Sequence, residues 1–106
     1  MKQGEVYFKN IRAGIITEDD RGFTFKYYPD YLTYDEAQPI SLTLPLTPLT
    51  YRDKVLFPFF DGLIPEGWLL DVASQNWKID PRDRMSLLLS CCRDCIGAVS
   101  VYPLNE

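Results

Sequence analysis

A chain of 106 residues has the length of one domain, and we read residues 1–106 as a single unit. Its 46% hydrophobic and 14% aromatic content excludes a disordered tail, because that much apolar surface can offset the entropy lost on ordering. Eleven basic residues against fifteen acidic ones leave a formal charge of −4, and the basic residues are scattered, which speaks against direct nucleic-acid binding.

The first 28 residues alternate with the period-two pattern of strands. Val6–Phe8 and Arg12–Thr17 are separated from Phe23–Tyr28 by the turn-forming run Glu18–Gly22, so an antiparallel meander is predicted. Pro29 opens a single helical turn through Tyr34. Ile40–Leu44 alternates again and predicts a further strand, ended by Pro45 and Pro48, which cannot donate to a ladder.

The run DKVLFPFFDGL is too apolar for a solvated loop and predicts a short helix, with Asp53 near its start and Gly62 near its end. Pro58 inside it either sits in the first turn or marks a kink. From Glu66 to Trp77, Leu69, Val72, Ala73 and Trp77 share one helical face, and Trp68 falls outside that stripe. Asp80 and Pro81 are the expected N-cap and first residue of another helix, whose apolar residues are Met85, Leu87, Leu88 and Leu89. Gly97–Tyr102 predicts a closing strand that Pro103 stops. The fold class is α+β: a small antiparallel sheet packed with two or three helices.

No apolar run approaches the ~20 residues that cross a bilayer, and MKQGEVYFKN lacks the apolar stretch of a signal peptide. The expectation is a cytoplasmic protein without membrane contact. Cys91, Cys92 and Cys95 crowd together at the end of the helical run MSLLLS, where the helix dipole disfavours a thiolate. Three cysteines and no histidine cannot supply the four ligands of a structural zinc, so the thiols are expected to pack, and no metal is expected.

The absence of histidine also excludes Ser–His and Cys–His nucleophile pairs, and no glycine-rich phosphate loop is present. Asp19–Asp20 and Asp35–Glu36 lie in polar stretches and read as solvated surface. Asp61 and Glu66 flank the apolar Gly62–Pro65 and read as charge complements of a helix N-terminus. These residues give no catalytic constellation and imply no cofactor; the expectation is not an enzyme.

Two runs taken together, FPFFDGLIPEGWLLD and CRDCIGAVSVYP, resemble the N-terminal subdomain of HipA-type serine/threonine kinases. PISLTLPL and FTFKYYPDYL fit the same pattern, so the likeness extends from about Val6 to Pro103. Cys92 departs from it, since that family often has glycine before Arg-Asp. The kinase's nucleotide-binding and catalytic motifs lie beyond this region, and none is carried over. Met1 at the start and an end just past Pro103 predict a natural short gene.

A free-standing unit of this kind resembles the small HipS antitoxins of tripartite HipB–HipS–HipT toxin–antitoxin systems. The resemblance implies a partner, a HipT-type kinase toxin that lacks this subdomain, and restraint of that kinase. It also implies a HipB-type helix-turn-helix protein in a ternary complex, which takes the DNA-binding role and leaves none to this chain. Other readings are a non-inhibitory scaffold subunit that completes the kinase fold, or the N-terminal part of a full HipA-type kinase.

Trp68 is the sharpest candidate for contact with such a partner. It is either a core residue, as tryptophan commonly is, or the tip of a docking turn formed by Ile64, Pro65, Glu66, Gly67 and Trp68 with Asp61 at its base. Proline and glycine limit the entropy such a turn loses on docking. The expected partner-binding residues are therefore Asp61, Ile64, Pro65, Glu66, Gly67 and Trp68.

Overall fold

The computed structural model describes residues 2–64, 75, 78–80, 82–92 and 98–104. Strands β1 (Lys2–Phe8), β2 (Ile11–Asp19) and β3 (Gly22–Tyr27) form the expected meander. Lys9 and Asn10 close the first hairpin with φ of 51° and 68°, the left-handed pair whose twist matches that of two antiparallel strands. At the second turn Gly22 has φ +133°, and a Cβ there would meet the Asp53 carbonyl oxygen at 2.4 Å, so only glycine fits.

Tyr28 leads into the one-turn helix α1 (Pro29–Leu32), with Pro29 in its first turn as expected. Then come β4 (Tyr51–Asp53), the one-turn helix α2 (Pro58–Asp61), α3 (Arg84–Cys91) and β5 (Val99–Pro103). The five strands form one antiparallel sheet in the order β4-β3-β2-β1-β5, so the α+β class is borne out.

One face of the sheet carries Val6, Ile16, Phe23, Phe25, Tyr27, Val99 and Val101, all buried, as period two requires. Ala13 and Gly14 are buried in succession because β2 carries an extra residue opposite Val6 and Tyr7. This bulge turns Arg12 to the opposite side. Met85, Leu87 and Leu88 of α3 complete the core. Gly4 lets that helix approach β1, since a Cβ there would lie 2.6 Å from Leu89 Cδ2.

Three expectations are corrected. Ile40–Leu44 is not a strand: the chain turns over Ser41–Leu44, with Leu44 N–H on the Ser41 carbonyl at 3.0 Å. Side chains take the backbone groups that a neighbouring strand would have used. The fully buried Tyr27 hydroxyl donates to the Leu44 carbonyl and accepts from Ile40 N–H at 3.1 Å. Tyr31 does the same to Gln38, donating at 2.6 Å and accepting at 3.1 Å. The Tyr51 hydroxyl holds the Pro45 carbonyl at 2.6 Å.

Secondly, the helix expected over DKVLFPFFDGL is split. Tyr51–Asp53 pairs with Phe25–Phe23 as the edge strand, and only Pro58–Asp61 is helical, with Pro58 in the first turn and Gly62 at its end. Thirdly, the N-cap of α3 is Asp83, whose carboxylate accepts from Ser86 N–H at 3.2 Å and Ser86 Oγ at 2.7 Å. Asp80 instead binds Arg82, accepting from its N–H at 2.9 Å and from Nη2 at 3.0 Å. The helix predicted over Glu66–Trp77 lies almost wholly outside the described residues. Cys92, where glycine is frequent in the resembling family, has φ −110°, a conformation that requires no glycine.

Both sheet edges are closed to further strands. Lys9 N–H donates to the Ala98 carbonyl and Leu104 N–H to the Gln3 carbonyl, which fixes the ladder so that Val99, Val101 and Pro103 turn their polar groups outward. Val101 N–H is taken by the Cys92 carbonyl at 2.8 Å, and Pro103 has no N–H to offer. At the other edge β4 is three residues long.

Tyr27→Phe leaves a buried N–H and a buried carbonyl unpaired, and we expect it to lower stability by about 1–3 kcal/mol in urea unfolding. Burial pushes the Tyr27 phenol up to about 12 from 10.0, although the Ile40 N–H works the other way. Because the folded state prefers the neutral phenol, this contribution is complete below pH 10 and fades as pH rises from 10 through 12. Stability of the natural protein should decline over that window more steeply than that of Tyr27→Phe.

Candidate functional site

Residues 57–64 form the base of the segment that contains Trp68. Pro58 stands where its missing N–H costs nothing, and Asp61 N–H and Gly62 N–H close the single turn on the Phe57 and Pro58 carbonyls at 2.9 Å each. Phe60 is fully buried with its ring 5.5 Å from Phe25, 5.3 Å from Phe59 and 6.2 Å from Phe57. The Leu63 carbonyl accepts the Cys92 thiol at 3.4 Å, so this buried cysteine ties the end of α3 to the segment. That agrees with the packing role expected of Cys92.

The six expected partner-binding residues fare differently. Asp61 is half-exposed and accepts from Arg84 Nε of α3 at 2.6 Å. Ile64 is 1% exposed and packs in the core, so its side chain supports the segment from below. Pro65, Glu66, Gly67 and Trp68 lie outside the described residues.

The sheet face opposite the core is polar, and its Glu5 is satisfied within it. Glu5 accepts from Tyr7 and Tyr28 hydroxyls at 3.1 and 3.0 Å and pairs with Arg12 Nε at 3.1 Å, while the Arg12 guanidinium lies 4.4 Å over the Tyr28 ring. Burial pushes both phenols up, and the Glu5 carboxylate adds to the effect. A shallow groove of about 250 Å³ runs between Tyr7, Asn10, Ser100 and Tyr102, and a hollow of about 60 Å³ lies among Phe8, Tyr31, Tyr34 and Gln38. Both are smaller than the ~300–1,000 Å³ of small-molecule sites. Among the described residues no cluster could hold a metal ion, and no helix is long and apolar enough to cross a membrane.

One feature was missed by strand-and-helix reasoning. Leu42, Leu49 and Val55 are 96%, 72% and 64% exposed; Leu42 and Val55 lie in stretches read as strand and helix, and Leu49 lies between them. The available signal is charge: no charged residue occurs between Glu36 and Arg52, in a chain where a quarter of all residues are charged.

Comparison with known proteins gives one consistent result. A family model described as the HipA N-terminal domain matches residues 4–102. A Haemophilus influenzae protein is 35% identical over 101 residues, which are 95% of this chain and 92% of that protein. The candidate kinase Y4mE of Sinorhizobium fredii is 28% identical over 102 residues, 95% of this chain but 24% of that protein. Among solved structures, the N-terminal domain of HipA toxin aligns with a TM-score of 0.78 at 31% identity, covering 100% of this chain and 95% of that one.

Helix α3, whose Arg84 pairs with Asp61, is itself capped by Asp83. Burial works against the Asp83 charge, but the Ser86 hydroxyl, Lys2 at 3.0 Å and the Ser86 N–H together hold its carboxyl below the ordinary range. A depressed pKa gives stability that is present above the unfolded value near 4 and is lost as pH falls through the folded one. Asp83→Ala should cost about 1 kcal/mol at neutral pH. Asp83→Asn should keep the cap but flatten the acid limb of a thermal-melt series.

Proposed function

We propose, for a chain that belongs to the HipA N-terminal domain family, that it is an antitoxin that docks on a HipT-type serine/threonine kinase toxin and obstructs the active cleft. It transforms no molecule itself and acts by lending a surface. The observation that carries this reading is the difference in coverage. The same unit makes up 92% of the Haemophilus relative but 24% of Y4mE, so it occurs both nearly alone and as a part of a much longer chain. A unit with that distribution suits supply in trans to a kinase that lacks it.

The obstructing element is the Asp61–Trp68 segment. Its base is tied by Asp61–Arg84, by the Cys92 thiol and by buried Ile64, so residues 61–64 lose little further motion on docking. A HipB-type helix-turn-helix protein completes the ternary complex and carries the DNA contacts, in keeping with the net charge of −4.

Membership of one chain with a candidate kinase favours a second reading, a scaffold that completes the kinase without inhibiting it. Coexpression with a HipT-type kinase distinguishes the two. An antitoxin restores growth and lowers phosphorylation, whereas a scaffold raises phosphorylation. Trp68→Ala should fold as the natural chain does and lose the rescue, since a central tryptophan is worth ~2 kcal/mol or more at an interface. Rescue at full strength by that variant would remove Trp68 from the inhibitory contact, and no rescue by the natural chain would sink the antitoxin reading.

A further inference from the structure

We infer that the uncharged segment between Glu36 and Arg52 is a second docking surface, distinct from the Asp61–Trp68 turn, and that its occupant is an apolar surface on the body of the same kinase. The inference rests on the antitoxin reading above, but on different residues.

Three observations lead to it. First, the outward side chains are aliphatic: Leu42 is 96% exposed, Leu49 72% and Leu46 36%. Elsewhere this chain puts charge on its exposed turns, as at Asp19–Arg21 and Asp53–Lys54; here hydroxyls, prolines and the Gln38 amide accompany the leucines. Isolated exposed leucines are ordinary, but several on one uncharged segment are a docking signature.

Second, the segment is held. Ile40 and Leu44 are buried at 5% and 3%, and hydroxyls of Tyr27, Tyr31 and Tyr51 bind its backbone at Ile40, Leu44, Gln38 and Pro45. Pro39, Pro45 and Pro48 restrict φ at three further points. The leucines are thus presented on a backbone already ordered, which lowers the cost of binding.

Third, one relative carries this unit beside a much larger protein body. In Y4mE this unit is followed or flanked by about three quarters of the chain, so a large protein body is available to the same domain there. An uncharged apolar segment fits a protein surface; it offers no cation to a phosphate backbone or an anionic membrane.

The test uses the full chain with Leu42→Ser and Leu49→Ser combined, and a purified full-length HipT-type kinase as probe. Both leucines are exposed, so the melting temperature should not change. Affinity measured by calorimetry should fall at least about 30-fold, the effect of losing two apolar contacts at an interface. A control, Tyr102→Ser on the opposite sheet face, should bind as the natural chain does.

Undiminished affinity in the double variant, with the natural chain binding, overturns this inference and leaves the antitoxin reading standing. No affinity in the natural chain overturns both. If the double substitution abolishes self-association of the natural chain in sedimentation but leaves kinase affinity intact, the leucines join copies of this chain, and the inference is overturned.

Discussion

The constraint on which most of the structure outside the sheet depends is the hydroxyl of Tyr27. It ends a core strand, has no exposed surface, and reaches two backbone groups of a segment that has no strand to pair with. A backbone buried without a partner would cost about 1–3 kcal/mol per group, so an irregular segment can lie against a core only if something else satisfies it. Tyrosine is suited to this because one oxygen donates and accepts while the ring fills apolar volume. The Tyr27 ring stands edge-on to Phe25 at 4.9 Å and stacks on Tyr31 at 5.9 Å, so the second tyrosine that pins the segment is packed against the first.

Satisfying the backbone from within also limits how a partner can be engaged. The outer edge of β5 has one donor taken by Cys92 and another removed by Pro103, and β4 is short. Strand addition at either edge would gain few hydrogen bonds. On the open sheet face Glu5 is already shared among Arg12, Tyr7 and Tyr28. On the proposed reading, recognition falls to side chains of Ala37–Thr50 and of the Asp61–Trp68 segment.

How much of this the residues disclosed depends on whether the signal was local. The meander was legible because Val6, Ile16, Phe25 and their neighbours alternate, and because one face of the sheet is buried. Pro29 opening α1 and Met85, Leu87 and Leu88 marking the core side of α3 were local signals too. Ile40–Leu44 misled because its alternation is real: Ile40 and Leu44 do point inward and Leu42 outward. What makes it a turn is a hydroxyl thirteen residues earlier in the chain, which no local pattern contains. Tyr51–Asp53 pairs only because β3 offers an edge, and Asp83 displaces Asp80 as cap because Ser86 stands three residues on. Of the candidate site, the base at Asp61 was legible from its place before an apolar turn, whereas its Arg84 partner and the burial of Ile64 were tertiary facts.

The aromatic core supplies a physical link between the two stretches. Phe60 at the base of the Trp68 segment packs at 5.5 Å on Phe25, Phe25 on Tyr27, and Tyr27 on Tyr31, whose hydroxyls hold the leucine-bearing segment. Interiors packed in this way deform little, so residues 57–64 and the leucine-bearing segment keep a fixed relation to each other. On the proposed reading, once one of them is seated on a kinase, the other would be presented at a high effective concentration, and its contacts would add affinity. A domain of 106 residues cannot offer a broad interface and a deep core at once. Two small rigid contacts joined through one stack of rings would let it hold a much larger partner with the surface it has.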